Sequence, residues 1–223
     1  MGVVFNSLDT ILIPLSLFIT LGYHVYLWHN FKNHPSLTTV GLNIIKRREW
    51  LLGMREGDDK GEMLAVQSLR NNLMAAILTA SITVIITISL AALANNTYNA
   101  DDGGSRLFSS PFFGAHSGPV IAIKYAAASV FLLISFLSSS IAVGFLIDAN
   151  FLINASGEFR SRAHAKEILE RGLLLSVVGN RVLCVAFPLM LWMLGPVPAA
   201  VSAAALVCGL YEYDFAGSFG RKK

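Results

Sequence analysis

Four long apolar runs dominate the chain: Leu8 to Phe31, Leu73 to Ala94, Val120 to Ile147 and Leu173 to Leu194. As a helix rising about 1.5 Å per residue, each is long enough to cross a hydrocarbon core of about 30 Å. Composition agrees, because 54% hydrophobic and only 14% charged residues leave too few charges to cover a water-soluble fold. The expected fold class is all-α: an integral membrane helical bundle filling residues 1–223 as a single membrane domain.

A fifth apolar run, Val197 to Tyr211, follows Gly195-Pro196-Val197-Pro198. Its prolines cannot continue a preceding helix, so a tight turn and a short fifth span are expected, with a re-entrant segment as the alternative. The basic residues bear on this choice, since Lys and Arg of short loops are retained in the cytosol. They cluster at Lys32, Lys46, Arg47, Arg48, Arg55, Lys60 and Arg70, at Arg160, Arg162, Lys166 and Arg171, and at Arg221, Lys222 and Lys223, whereas the stretch from Asn95 to Pro119 has only Arg106. Five spans place all three clusters on one side. The expected organisation is an N-terminus outside or in a lumen, a cytosolic basic connection at 32–70, an outer loop at 95–119, a cytosolic connection at 148–171 and a cytosolic tail at 212–223. The membrane would be the plasma membrane or an endomembrane.

The first run has no basic segment ahead of it and is too long for a signal core, so it reads as a permanent anchor. Asn6 stands where an N-myristoylation motif needs Ser or Thr. Asn95-Asn96-Thr97 is a glycosylation sequon on the expected outer side, and Asn154-Ala155-Ser156 one on the cytosolic side. Cys184 and Cys208 both lie in apolar runs and imply no disulfide framework. There is no phosphate-binding glycine loop, paired-cysteine metal spacing or nucleophile elbow, and a haem would have only His24 and His29 to draw on. An enzyme, a cofactor and a metal site are not expected. The expected partners are the lipid bilayer, further copies of the chain and a membrane or cytosolic protein, but no nucleic acid.

The first cytosolic connection is patterned. Leu37, Val40, Ile44, Ile45, Leu51 and Leu52 recur at helical spacing around Lys46-Arg47-Arg48-Glu49-Trp50. Such a helix either lies in the interface, with its basic residues toward anionic headgroups, or packs on the cytosolic end of the bundle. The acidic turn Glu56 to Glu62 departs from calcium-loop spacing and reads better as a loop in which Asp58 or Asp59 caps the next helix. That helix is expected to begin near Glu62 and to carry Gln67, Arg70 and Asn71 to the cytosolic entry of the second span.

At this point the chain resembles a known family. Ala65-Val66-Gln67-Ser68-Leu69-Arg70-Asn71, the upstream Arg48-Glu49-Trp50, the stretch from Trp192 to Pro198 and the order of spans look like the membrane proteins of plants and bacteria grouped as domain of unknown function 599. The resemblance implies a multi-pass architecture. It brings no activity, substrate or catalytic residue with it.

Charges inside spans are the remaining signal, because each costs at least about 2.5–3.5 kcal/mol at a span centre and needs a partner or a wet cavity. Arg181, beside Asn180, is the deepest, about nine residues or roughly 14 Å into the fourth run. Asp9 and Lys124 lie near the outer ends of the first and third runs, and Asp148 near the inner end of the third. Matched depth suggests Asp9 with Lys124, and Arg181 with Asp148 or Glu212. Such pairs either fix which helix neighbours which or line a polar path, where Arg181, Asn180 and Lys124 would favour anions. Ser135, Ser138, Ser139, Ser140 and Gly144 form a small-residue face for helix packing or self-association. Tyr23, Tyr26 and Trp28 read as an interfacial aromatic belt. The functional expectation is an oligomeric channel or transport component, with a non-catalytic scaffold or partner-binding subunit as the alternative.

Overall fold

The computed structural model describes residues 7–53, 59–99, 118–154 and 162–219. Helix α1 (Ser7–Asn33) is followed by a single 3₁₀ turn (Pro35–Leu37), and then come α2 (Thr39–Gly53), α3 (Asp59–Asn99), α4 (Gly118–Asn154), α5 (Arg162–Leu191) and α6 (Pro196–Phe219). Four stretches are long and apolar enough to cross a membrane: Leu8–Asn33, Met63–Asn96, Pro119–Ile153 and Ala163–Leu191. The protein is an integral membrane protein of the all-α class. Large apolar side chains point outward along the spans, with Phe18 77%, Ile88 65% and Phe151 70% exposed. Water does not tolerate apolar surface on that scale, whereas lipid tails do.

The helices outrun their apolar runs. α3 starts at Asp59 rather than near Glu62 and extends to Asn99, because good helix formers such as Met63, Leu64, Ala65, Gln67, Leu69 and Arg70 continue the helix past the apolar boundary. α4 likewise reaches Asn154, and α6 continues to Phe219 through the first part of the expected tail. The fifth apolar run is one unbroken helix of 24 residues, although it is not among the four stretches above. α5 ends in a turn in which the Gly195 N–H donates to the Leu191 carbonyl at 3.2 Å. Pro196 then opens α6 at a first-turn position, where its missing N–H leaves no bond unmade. Glu56, Gly57 and Asp58 of the acidic turn and the sequon serine Ser156 lie outside the described residues.

By contacts the chain divides into two compact units. The first comprises Met1–His29, Thr83–Leu133 and Val182–Asp214; its core joins Ile13, Leu90, Ala128, Leu132, Ala186 and Ala199, one or more from each of α1, α3, α4, α5 and α6. The second comprises Asn30–Ile82, Ile134–Arg181 and Phe215–Lys223. In its core, Ala65, Leu69 and Ala76 of α3 meet Ala142, Leu146 and Ala149 of α4 and Leu169 and Leu173 of α5. The alanines on this face, Ala65 and Ala76 on α3 and Ala142 and Ala149 on α4, let these helices approach closely.

In the second unit Thr38 caps α2. Its Oγ1 accepts from the Gly41 N–H at 3.1 Å, satisfying a donor that the first helical turn leaves open. Gly41 is required here, because a Cβ at that position would run into the Pro35 carbonyl. α2 is tied down by Arg47, which donates to the Asn72 amide oxygen of α3, and by an ion pair of 3.9 Å from the exposed Arg48 to the half-buried Glu170 of α5. Lys46, Arg48 and Trp50 are left exposed.

Candidate functional site

The first unit contains most of the buried polar groups. Along α1 the buried positions are Asp9, Ile13, Ser16, Thr20, Tyr23 and Leu27, spaced alternately four and three residues apart and therefore on one face. Four of the six are polar, an expensive choice in a span. Ser16 Oγ donates to the Ile13 carbonyl at 2.8 Å and Thr20 Oγ1 to the Ser16 carbonyl at 2.7 Å, so these two hydroxyls are satisfied by their own helix.

Asp9 and Tyr23 are satisfied from other elements. Asp9 is 2% exposed, and its Oδ1 accepts from the Trp192 indole N–H at 2.8 Å. Lys124 of α4 is 1% exposed, and its ammonium lies 5.6 Å from the Trp192 ring centroid, within cation–π range. The Asp9 charge also acts on Lys124. One indole thus serves both charges, its N–H facing the carboxylate and its ring the ammonium. No hydrogen-bond partner for Lys124 Nζ occurs among the described residues.

The second buried carboxyl of this unit is Asp214 on α6, fully buried, whose Oδ2 accepts from the Tyr23 hydroxyl at 2.5 Å. Tyr23 also meets His24 edge to face, with ring centroids 5.4 Å apart, and His24 Nδ1 lies 2.7 Å from the Thr20 carbonyl. Tyr23 is a hydrogen-bond donor to the interior rather than a member of an interfacial belt, while Tyr26 and Trp28 are exposed. Tyr23→Phe is expected to lower stability by roughly 1–3 kcal/mol, since it strips a buried carboxyl of its donor. Unfolding in mixed detergent micelles measures this, and Asp214→Asn should cost less because it buries no charge.

The remaining residues singled out in the sequence fall as follows. Arg181 is 8% exposed, in the second unit, whereas Asn180 beside it and Asp148 in the same unit are exposed. Asp148 lies off the α4 face that buries Ala142, Leu146 and Ala149. Glu212 is exposed as well. The inward carboxyl of α6 is Asp214, three helical turns beyond buried Ala203. Helical phase, rather than depth, separates it from Glu212. Gln67, Arg70 and Asn71 are exposed on α3, and the residue that makes the interhelical bond is Asn72, one position further on.

Within the serine face, Ser135 and Ser139 are fully buried, Ser138 half-buried, and Ser140 and Gly144 exposed. The buried pair packs on Gly179 of α5, with Ser135 Oγ donating to the Gly179 carbonyl at 2.7 Å. Here the small residues join two helices of one chain. Cys184 is half-buried and Cys208 exposed, both as free thiols, and no three-residue group of His, Cys, Asp and Glu able to hold a metal occurs among the described residues.

The family model described as "Protein of unknown function, DUF599" matches residues 11–219. No curated protein and no solved structure matches the chain.

Proposed function

Since the chain belongs to the DUF599 family, for which no function is described, its activity must be read from the molecule, and we propose that it is an oligomeric channel or transport component. The observation carrying this reading is Lys124, an ammonium 1% exposed within a membrane-spanning stretch and without a hydrogen-bond partner among the described residues. Ionisable groups retained at such cost inside spans are characteristic of ion and substrate pathways. Asp9 and Trp192 hold the ammonium in place. Asp9 and Asp214, buried in the same unit, offset the preference for anions that Lys124 alone would give, and the second unit has a buried cation of its own in Arg181. Chains that enclose so little polar interior are expected to build a pathway by association.

In this reading α6 is a fifth crossing, with the N-terminus outside and the C-terminus in the cytosol. Its support is a continuous helix of 24 residues, which rises about 36 Å, and the placement of all three basic clusters on one side. Purified protein in liposomes should pass at least one common monovalent ion, and Arg181→Ala, in protein that still assembles, should change the flux or its selectivity. Absence of flux with every common anion and cation contradicts the proposal. A non-catalytic subunit would then remain, to be sought as a stoichiometric partner in detergent extracts.

A further inference from the structure

Within the second unit α2 closes a shallow groove against three spanning helices. Arg47 and Trp50 of α2 line one wall, Ser68 and Asn72 of α3 another, and Ile153 of α4 and Leu169 of α5 the apolar floor. The level of this groove follows from the span ends. Two candidate spans end at Asn33 and Ile153, and two begin at Met63 and Ala163. With each helix crossing once, these four ends lie on the same face of the bilayer. The groove's residues on α3, α4 and α5 fall within the first or last few turns of their spans, at the height of headgroups and upper acyl chain.

We propose that this groove is a binding site for an anionic glycerophospholipid, with the phosphate at Arg47 in the field of the neighbouring basic residues of α2 and an acyl chain lying over Leu169 and Ile153. Charge complementarity selects the occupant. Lys46, Arg47 and Arg48 are consecutive on α2, and Lys46 and Arg48 are exposed. Arg47 is half-buried and anchored by its bond to the Asn72 oxygen. The anchor fixes a planar cation at the mouth of the groove without ordering a free side chain on binding. Trp50, 42% exposed next to it, has the amphipathic ring that settles at the headgroup boundary. A basic pocket between membrane helices on the cytosolic side is a recognised setting for anionic headgroups. A soluble phosphate would use the arginines but leave the apolar floor and Trp50 unexplained.

The test uses full-length protein in non-ionic detergent, with phosphatidylglycerol and phosphatidylcholine of identical acyl chains, read by native mass spectrometry and by the lipid-induced shift in melting temperature. Phosphatidylglycerol should be retained roughly tenfold or more over phosphatidylcholine, as two or three interfacial cations would give. Arg47→Gln should remove most of that preference, and Trp50→Ala should weaken both lipids. The double variant Lys46→Gln/Arg48→Gln, confined to exposed side chains, should reduce the preference too and serves if Arg47→Gln does not fold. Equal retention of the two lipids by the wild type, or an unchanged preference in the double variant, overturns the proposal. So does full displacement of phosphatidylglycerol by millimolar inorganic phosphate, which would make the site one for soluble phosphate.

Discussion

Lys124→Met is expected to destabilise the protein by roughly 3–5 kcal/mol, because it leaves the Asp9 carboxylate in a buried place without its counter-charge. The Trp192 N–H bond to Asp9 remains, but a neutral donor does not replace an ammonium in a medium of low dielectric constant. Asp9→Asn should cost comparably by stranding Lys124 over the indole. The double variant Asp9→Asn/Lys124→Met should be more stable than the sum of the single losses, since it buries no charge. A double-mutant cycle from unfolding in mixed micelles reads the coupling directly. Additive losses would mean that the two charges act independently and that the Asp9–Trp192–Lys124 arrangement is not one unit.

Gly179→Val is expected to disrupt the packing of α5 on α4 in the second unit. A Cβ at this position would meet the Ser139 hydroxyl, and it would lie 3.1 Å from the Ser139 backbone nitrogen and 3.2 Å from the Ser135 carbonyl oxygen. The hydroxyl can turn aside but the backbone of α4 cannot, so a branched side chain forces the helices apart at a cost of roughly 1–3 kcal/mol. The Ser135 bond to the Gly179 carbonyl would be lost with the contact, although such bonds in membranes contribute only about 0.6 kcal/mol on average. Gly144→Ala provides the contrast, because a Cβ there meets nothing within 4 Å and stability should hardly change. The close approach also suggests a rescue: Gly179→Ala should be better tolerated with Ser139→Gly than alone. If Gly144→Ala and Gly179→Val unfold the protein equally, close packing at Gly179 is not what joins these helices.

The spans were legible in the sequence because length and apolarity in a bilayer leave few alternatives to a helix. Their ends were less so, since Met63 to Arg70 has the propensity to continue a helix wherever the bilayer boundary falls. Within the site, Asp9, Lys124 and Arg181 could be selected from the sequence because a charge in an apolar run is conspicuous by itself. Trp192 was not singled out for this role: a tryptophan at a span end ordinarily reads as an interfacial anchor, and only the turn after α5 presents its N–H to Asp9. Asp214 lay among the polar residues at the end of the fifth run, where depth could not distinguish it from Glu212. Helical phase, counted from Ala199 and Ala203, does distinguish it. The serine face was visible as a set of small residues, but which of them meet a partner depends on Gly179, about forty residues further along the chain, and no local pattern reports that.

The proposed role of the buried charges of the first unit is passage across the membrane rather than packing alone. The direct measurement is ion flux into proteoliposomes, comparing the wild type with Asp9→Asn/Lys124→Met at equal incorporation and with thermal stability matched by choice of temperature. Flux is expected from the wild type, and its loss, or an altered ion preference, from the variant that folds without these charges. Wild-type flux that persists with the same ion preference in the neutral variant would contradict it, and so would a wild type that passes no ion at all.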